Sequence, residues 1–404
     1  MAKQETFKYK KTNAPASAKK SVSLLPKRKG PGLQRLRSGI DWPFAILVLI
    51  LLAIGTIFVF SSSYVYAKYN YNNSFFFIRK QIVFVGVSLV FLFLTVRFAD
   101  YLWLKRFALP IFLASYALLW AVFFFGADAN GARRWIYIGS FSVQPSEIVK
   151  FSVILLISSY VVWLDSKGRD LIRTFKYGIL PFGILAVIVA IPLILQPHLS
   201  ATIIIMGLIF SMMFLSGTKP SILWSCAGVA ALLLLIIVLG TSHGQARIDA
   251  WLHPENDIQN SGWQPLQSLY AIGSGGLWGV GLGASKQKHL YLPEPQNDYI
   301  FAIVCEEMGF VFALAVIILF LLLIWRGFYI AKNAPSKFSS LLVMGIITQI
   351  GIQVFLNIGV VTGTLPSTGV SLPFFSYGGS SLMIFMAEMG VVLNVSKYSY
   401  TEKS

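Results

Sequence analysis

Residues 43–63 read PFAILVLILLAIGTIFVFSSS, and this stretch decides the fold of the chain. It contains no charged side chain, and about 20 predominantly apolar residues in a helix cross a hydrocarbon core of about 30 Å. The apolar residues run continuously, whereas the strands of a membrane barrel alternate apolar and polar residues. The stretch is too long for a signal-peptide core, and no small-residue cleavage site follows it. It therefore predicts an uncleaved transmembrane helix.

The rest of the chain repeats this pattern. Hydrophobic residues make up 56% and charged residues 12% of the 404 residues, with a mean hydropathy of +0.70, whereas about a quarter of a soluble domain is charged. This composition predicts an all-α polytopic membrane protein with about ten transmembrane helices. The further predicted spans are 80–96, 107–126, 146–164, 177–195, 199–215, 221–240, 299–325, 338–362 and 376–395.

The basic residues predict the orientation of the chain. With the N-terminus inside, 24 of the 33 Lys and Arg fall in cytoplasmic segments and 7 in outer loops, while Lys80 and Lys150 fall within spans, which is the positive-inside pattern. Both termini are therefore predicted to be cytoplasmic. Residues 1–40 form a basic tail expected to be disordered, residues 41–396 the membrane domain, and residues 397–404 a short tail. The net charge of +17 follows mainly from topology, so nucleic acid is not an expected partner.

The longest predicted outer loop, 241–298, lies between spans seven and eight. Loops of this length are usually functional or disordered, and its Trp and Tyr residues favour an ordered loop against the membrane face. Within it, Gly273–Gly283 lacks the βαβ unit that a dinucleotide-binding fingerprint needs. A glycine-rich turn packed closely on neighbouring protein is favoured over one that faces a lipid headgroup.

Asp298 ends this loop directly before span eight. Its position favours helix capping, because the helix dipole stabilises a negative charge there. A carboxylate anchored at the membrane surface can also accept a proton, so the two roles are compatible.

Ionisable and amide side chains within the spans are costly in lipid and mark functional or packing sites. Glu147 and Lys150 lie three residues apart, so they share one helix face and can pair. Gln349, Gln353 and Asn357 are spaced by four, which favours hydrogen bonds between helices over a substrate path. The other carboxylates in the spans are Glu306, Glu307 and Glu388.

Several motifs, in order along residues 41–395, resemble the SEDS (shape, elongation, division and sporulation) family. Pro373-Phe-Phe-Ser-Tyr-Gly-Gly379 is more similar to the cell-division member, or its sporulation relative, than to the elongation member. The chain departs from the family at His198, where many members have Asp, and no catalytic role is assigned to that position. The other motifs are Gly131-Ala-Arg-Arg-Trp-Ile136, Gln144-Pro-Ser-Glu-Ile-Val-Lys150, Gly273–Gly283 continuing through Leu292-Pro-Glu294 to Asp298-Tyr-Ile-Phe301, Glu306-Glu-Met-Gly309 and Thr362–Ser381.

The resemblance implies a peptidoglycan glycosyltransferase that polymerises lipid II on the outer face of the cytoplasmic membrane during cell division. Asp298 matches the family's catalytic Asp and is the implied general base for inverting transfer. Cationic side chains suit the pyrophosphate of the substrate. The implied pyrophosphate ligands are Arg133, Arg134, Lys286 and Lys288, while Glu147 and Lys150 are expected to shape the lipid cavity and Ser376 and Ser380 to line its outer mouth.

No cofactor is required by the sequence, although a divalent cation, Mg²⁺ or Mn²⁺, could supplement the basic residues. Cys226 and Cys305 both fall inside spans, and the four histidines lack metal-site spacing, so no disulfide or protein metal site is expected. The implied partners are lipid-linked glycan, a class B penicillin-binding transpeptidase and other membrane proteins of the division complex, with the protein located at the septum.

Two other functions are left open. A lipid II flippase would use the intramembrane charges as a polar path, but transporters often contain internal repeats, and none is evident here. A non-catalytic division scaffold would tolerate substitution of Asp298 while it still bound its partner.

Overall fold

The computed structural model describes residues 35–37, 39–129, 132–139, 141–168, 170–221, 223–226, 228, 239–240, 242–256 and 262–402. The helices are α1 (Trp42–Tyr71), α2 (Phe76–Phe98), α3 (Tyr101–Arg106), α4 (Ala108–Phe125), α5 (Pro145–Lys167), α6 (Phe175–Gly178), α7 (Leu180–Leu195), α8 (Leu199–Leu215), α9 (Ser242–Leu252), α10 (Trp263–Gly275), α11 (Ile300–Lys332), α12 (Lys337–Val361) and α13 (Gly379–Ser396). The strands are β1 (Arg35–Arg37), β2 (Ala127–Ala129), β3 (Ala132–Ile138), β4 (Phe141–Val143) and β5 (Tyr400–Glu402).

Among the described residues, eight helices are long and apolar enough to cross a bilayer: α1, α2, α4, α5, α6 with α7 as Phe175–Leu195, α11, α12 and α13. Each coincides with a predicted span, and α8, which has 17 residues, coincides with another. The predicted span 221–240 falls mostly outside the described residues. The all-α polytopic fold is confirmed, and the number of ten spans stays a prediction.

Local sequence sets the ends of several spans. Asp41 caps α1, since its Oδ1 accepts from the backbone N–H of Phe44 at 3.0 Å, and Pro43 occupies the first turn, where the missing N–H costs nothing. The Asp41 carboxylate also pairs with Arg326, in the last turns of α11, at 2.9 Å. This ion pair brings the start of α1 and the end of α11 to one face of the molecule.

The two ends of the described chain also meet, because β1 pairs antiparallel with β5. Residues 35–37, at the end of the tail predicted to be disordered, therefore form a strand, and residues 1–34 lie outside the described residues. The pairing agrees with two termini on one side of the membrane. Which side they occupy stays a prediction.

The glycine-rich segment of the outer loop packs against a break in α11. Gly309 has φ 74° and ψ −179°, a conformation that side chains with a Cβ rarely adopt. Because the helix is broken there, carbonyl groups of α11 accept hydrogen bonds from the loop. The N–H of Val280 donates to the carbonyl of Glu306 at 3.0 Å. A Cβ at Gly309 would lie 2.3 Å from the backbone nitrogen of Gly279. The expected close approach to neighbouring protein is confirmed.

Two tryptophans hold the same loop in place. The indole N–H of Trp251, in α9, donates to the carbonyl of Gly363 at 2.8 Å, and that of Trp263, in α10, donates to the carbonyl of Tyr291 at 2.6 Å. The described parts of the loop are thus ordered, as its aromatic content predicted.

Candidate active site

Asp298 lies at the end of the outer loop, beside the segment that connects α12 to α13. Asn357 of α12 fixes its backbone, because Nδ2 donates to the carbonyls of Asp298 and Val370, both at 2.7 Å. The carboxylate faces Gly369, where a Cβ would lie 3.2 Å from Oδ2 of Asp298. Gly369 has φ 69°, so both its conformation and its close approach to the carboxylate favour glycine.

The capping role favoured for Asp298 is wrong. The N-cap of α11 is Tyr299, and no side-chain hydrogen bond caps this helix. The helix begins at Ile300, so Asp298 lies one residue before the capping position and its carboxylate faces the connecting segment instead.

The surroundings of Asp298 raise its pKa to about 6. Burial is the largest cause and the negative charge of Glu294 adds to it, while the guanidinium groups of Arg247 and Arg134 act in the opposite direction. A carboxyl group with such a pKa is ionised at neutral pH and is a stronger base than an ordinary aspartate.

Arg134, on β3, is one of the two cations beside Asp298. Its Nη2 donates to the carbonyl of Pro197 at 2.5 Å, and its Nε is buried without a hydrogen-bond partner among the described residues. Burial and the charge of Arg247 lower its pKa, and the charge of Asp298 raises it. The charge of Arg134 thus acts on Asp298, and its binding of pyrophosphate stays a prediction.

Arg247, on α9, is the second cation, and sequence analysis did not single it out. Its Nη1 donates to the carbonyl of Ser367 at 3.2 Å, and burial lowers its pKa while the charges of Tyr299 and Asp298 raise it. No motif surrounds Arg247. A signal was nevertheless present, because it is the only Lys or Arg in the sequence between Lys219 and Lys286.

The two lysines predicted to bind pyrophosphate occupy different environments. Lys286 is exposed. Lys288 is 3% exposed, and its ammonium group pairs with Glu307 at 2.8 Å and donates to the carbonyl of Gly283 at 2.6 Å. Glu307 also accepts from Ser61 of α1. This buried ion pair joins the loop to α1 and α11, which favours a structural role for Lys288, and binding of pyrophosphate by this lysine stays a prediction.

Glu147 and Lys150 form the expected pair within α5. Their Oε2 and Nζ atoms are 2.7 Å apart, and Lys150 Nζ lies 5.7 Å from the centre of the Phe385 ring of α13. On α12, Gln349 makes the expected hydrogen bond between helices, since it donates to Glu388 of α13. Asn357 instead donates to the carbonyl of Asp298 in the outer loop.

The chain matches the sequence profile of the cell cycle proteins FtsW, RodA and SpoVE over residues 42–401. The chain belongs to this family, the SEDS family. It is 40% identical to stage V sporulation protein E of Bacillus subtilis over 89% of this chain and 97% of the relative. It is 36% identical to a protein of Trichlorobacter lovleyi named probable peptidoglycan glycosyltransferase FtsW, over 88% of this chain and 93% of the relative.

Solved structures of SEDS proteins share the fold. A chain from a study described as the structural coordination of polymerization and crosslinking by a peptidoglycan synthase complex has a TM-score of 0.72 at 30% identity, covering 88% of this chain and 97% of that one. The rod shape determining protein RodA of Thermus thermophilus has a TM-score of 0.66 at 27% identity, covering 90% and 98%.

Three further residues of this SEDS chain were predicted to belong to the site: Arg133, Ser376 and Ser380. Arg133 precedes Arg134 on β3 and is exposed, as alternation along a strand requires when its neighbour points inward. Ser376 accepts from the N–H of Leu372 at 2.7 Å, and Ser380 accepts from the N–H of Gln144 at 3.3 Å. Both serines are buried, and each hydroxyl fixes a backbone N–H group in place. Ser376 also lines a small cavity with Ser381 and Phe385.

The arrangement can carry out proton transfer next to an anionic group. One carboxylate with a raised pKa lies within the electrostatic reach of two guanidinium groups, which suit bidentate contact with phosphate oxygens. No group of three or more His, Cys, Asp and Glu in the described part of the chain could hold a metal ion. A requirement for Mg²⁺ or Mn²⁺ stays a prediction.

Proposed function

We propose that this chain is a peptidoglycan glycosyltransferase that polymerises lipid II on the outer face of the cytoplasmic membrane, with Asp298 as general base. Membership of the SEDS family and the names of the FtsW relatives support the activity. The observation that carries the role of Asp298 is its buried carboxylate, whose pKa is raised to about 6 and on which the charges of Arg134 and Arg247 act.

The chemistry assigned to these groups balances without a further reactant. Asp298 takes the proton of the acceptor sugar hydroxyl, and the hydroxyl oxygen forms a bond to the anomeric carbon of the donor. The bond from that carbon to the lipid diphosphate breaks, and the diphosphate leaves with the electron pair. Arg134 and Arg247 stabilise the negative charge on the leaving group, and attack from the opposite side inverts the anomeric centre.

The partner and the setting belong to the same proposal. One structural relative comes from a peptidoglycan synthase complex that couples polymerisation with crosslinking, which supports a class B penicillin-binding transpeptidase as partner. We assign cell division as the setting, with the septum as the location. The identity to stage V sporulation protein E makes sporulation the alternative setting.

The decisive experiment measures glycan polymerisation from lipid II by the purified protein, with and without its transpeptidase. Asp298→Ala and Asp298→Asn should each lower the rate by a factor of about 10² to 10⁴, the usual contribution of general base catalysis. The matched control is Asp249→Asn, since Asp249 is an exposed carboxylate in the same loop, and it should polymerise at the wild-type rate.

Other outcomes separate the competing functions. Wild-type rates from both Asp298 variants would remove this residue from the reaction. If the wild type forms no polymer with its partner present, transport of lipid II across vesicles becomes the activity to measure, and binding of the transpeptidase alone would favour a scaffold.

A further inference from the structure

His198 is a buried polar side chain beside this site that the reaction described above does not use. It is 6% exposed and lies in the turn between α7 and α8, next to Pro197, whose carbonyl accepts from Arg134. On its other side, Nε2 lies 3.3 Å from the amide nitrogen of Gln144, which precedes α5. Two residues further on, Ser200 Oγ approaches Gly369, the glycine that the Asp298 carboxylate faces.

The hydrogen-bond partner of His198 determines where its proton lies. Burial and the positive charges of Arg134, Lys150 and Arg247 lower its pKa to about 3, so the ring is neutral and carries one proton. An amide nitrogen only donates, so Nε2 accepts from Gln144 and the proton lies on Nδ1. Nδ1 has no hydrogen-bond partner among the described residues.

A buried N–H group without a partner is rare in native proteins, because its desolvation is not compensated. Two such donors occur here, since Arg134 Nε is also buried without a partner in the described part of the chain. The charges that shift the pKa of His198 are positive: those of Arg134, Lys150 and Arg247. Of these three, Lys150 pairs with a carboxylate of its own helix, Glu147. Two unpartnered donors in a positive environment fit a group with several anionic oxygens.

We propose that His198 binds substrate by donating from Nδ1 to a diphosphate oxygen of the lipid-linked substrate, next to Arg134. The inference rests on the proposed function for the identity of this lipid. The inference requires only that the ligand contain a polyprenyl diphosphate, whichever sugar is attached to it.

Two substitutions at His198 distinguish the roles of the two ring nitrogens. The amide nitrogen of Asn reaches the position of Nδ1, whereas that of Gln reaches the position of Nε2. His198→Asn should therefore keep the donor to diphosphate, and His198→Gln should lose it. The matched control is His253→Gln, because the His253 side chain is 63% exposed and lies in the outer loop 241–298.

The experiment measures binding of geranylgeranyl diphosphate, and of geranylgeraniol as the probe without phosphate, to the full-length protein in detergent. We expect His198→Gln to bind the diphosphate at least about tenfold more weakly, the effect of losing a hydrogen bond to a charged group. His198→Asn and His253→Gln should remain within about threefold of wild type on the same scale. Geranylgeraniol should bind all four proteins equally.

The inference would be overturned by wild-type binding by His198→Gln, by equal weakening by the Asn and Gln variants, or by an equal loss of geranylgeraniol binding. Absence of diphosphate binding by the wild type would overturn it as well. If the wild type binds the diphosphate through His198 and forms no glycan, the inference stands and the proposed polymerase function fails.

Discussion

At the scale of single residues, the charge of Asp298 depends on side chains from distant parts of the chain. Glu294 lies four residues before it, whereas Arg247 comes from α9 and Arg134 from β3. A general base works only when it is ionised. Since burial raises the pKa of Asp298 to about 6, the base is active above this pH and is lost as the pH falls through it.

The pH profile of polymerisation should therefore fall below about pH 6, by about tenfold per pH unit. Glu294→Gln removes a charge that raises the pKa of Asp298, so the acid limb should move to lower pH. Arg247→Gln removes a charge that lowers this pKa, so the limb should move to higher pH and the maximal rate should fall. Initial rates from pH 4.5 to 8 provide the measurement, and a limb that neither variant moves would contradict the assignment of Asp298.

At the scale of elements, the outer loop is held to the membrane helices by buried charge as well as by backbone. Glu307 and Lys288 are both nearly inaccessible and 2.8 Å apart. The Glu307 carboxylate also accepts from Ser61 of α1, so the outer loop, α1 and α11 meet at one ion pair. Removal of one partner leaves a buried charge uncompensated, which destabilises a protein by about 3–5 kcal/mol, whereas neutralising both is much less costly.

Lys288→Met and Glu307→Gln should each lower the thermal unfolding temperature and the polymerisation rate, and the double variant should recover most of both. Unfolding in detergent and glycan synthesis are measured on the same preparations. A pyrophosphate ligand would behave differently, because the double variant would then regain its stability and remain inactive. Lys286→Met, at the exposed neighbouring lysine, is the control for stability.

At the scale of the whole molecule, the ion pair of Asp41 with Arg326 and the pairing of β1 with β5 bring both ends of the chain to one face. The loop with Asp298 lies at the other end of α11, since this helix runs from Ile300 beside Asp298 to Lys332 near Arg326. The positive-inside rule assigns the face with the termini to the cytoplasm.

Cysteine labelling in spheroplasts tests this orientation. In a chain with Cys226→Ala and Cys305→Ala, a membrane-impermeant maleimide should label His253→Cys in intact spheroplasts. Lys332→Cys should be labelled only after the membrane is opened. The reverse pattern would place Asp298 in the cytoplasm and would contradict synthesis on the outer face.

The sequence by itself determined the features that depend on neighbouring residues. Continuous apolar runs predicted the spans, the spacing of three residues predicted the pair of Glu147 with Lys150, and the family motifs predicted Asp298 and Arg134. Tertiary structure decided what depends on residues far apart in sequence. The charge of Arg247 acts on Asp298 because Arg247 of α9 bonds the segment after α12 at Ser367, and Lys288 is buried because it pairs with Glu307. Local spacing carries no information about either contact, since each is made only when separate helices pack.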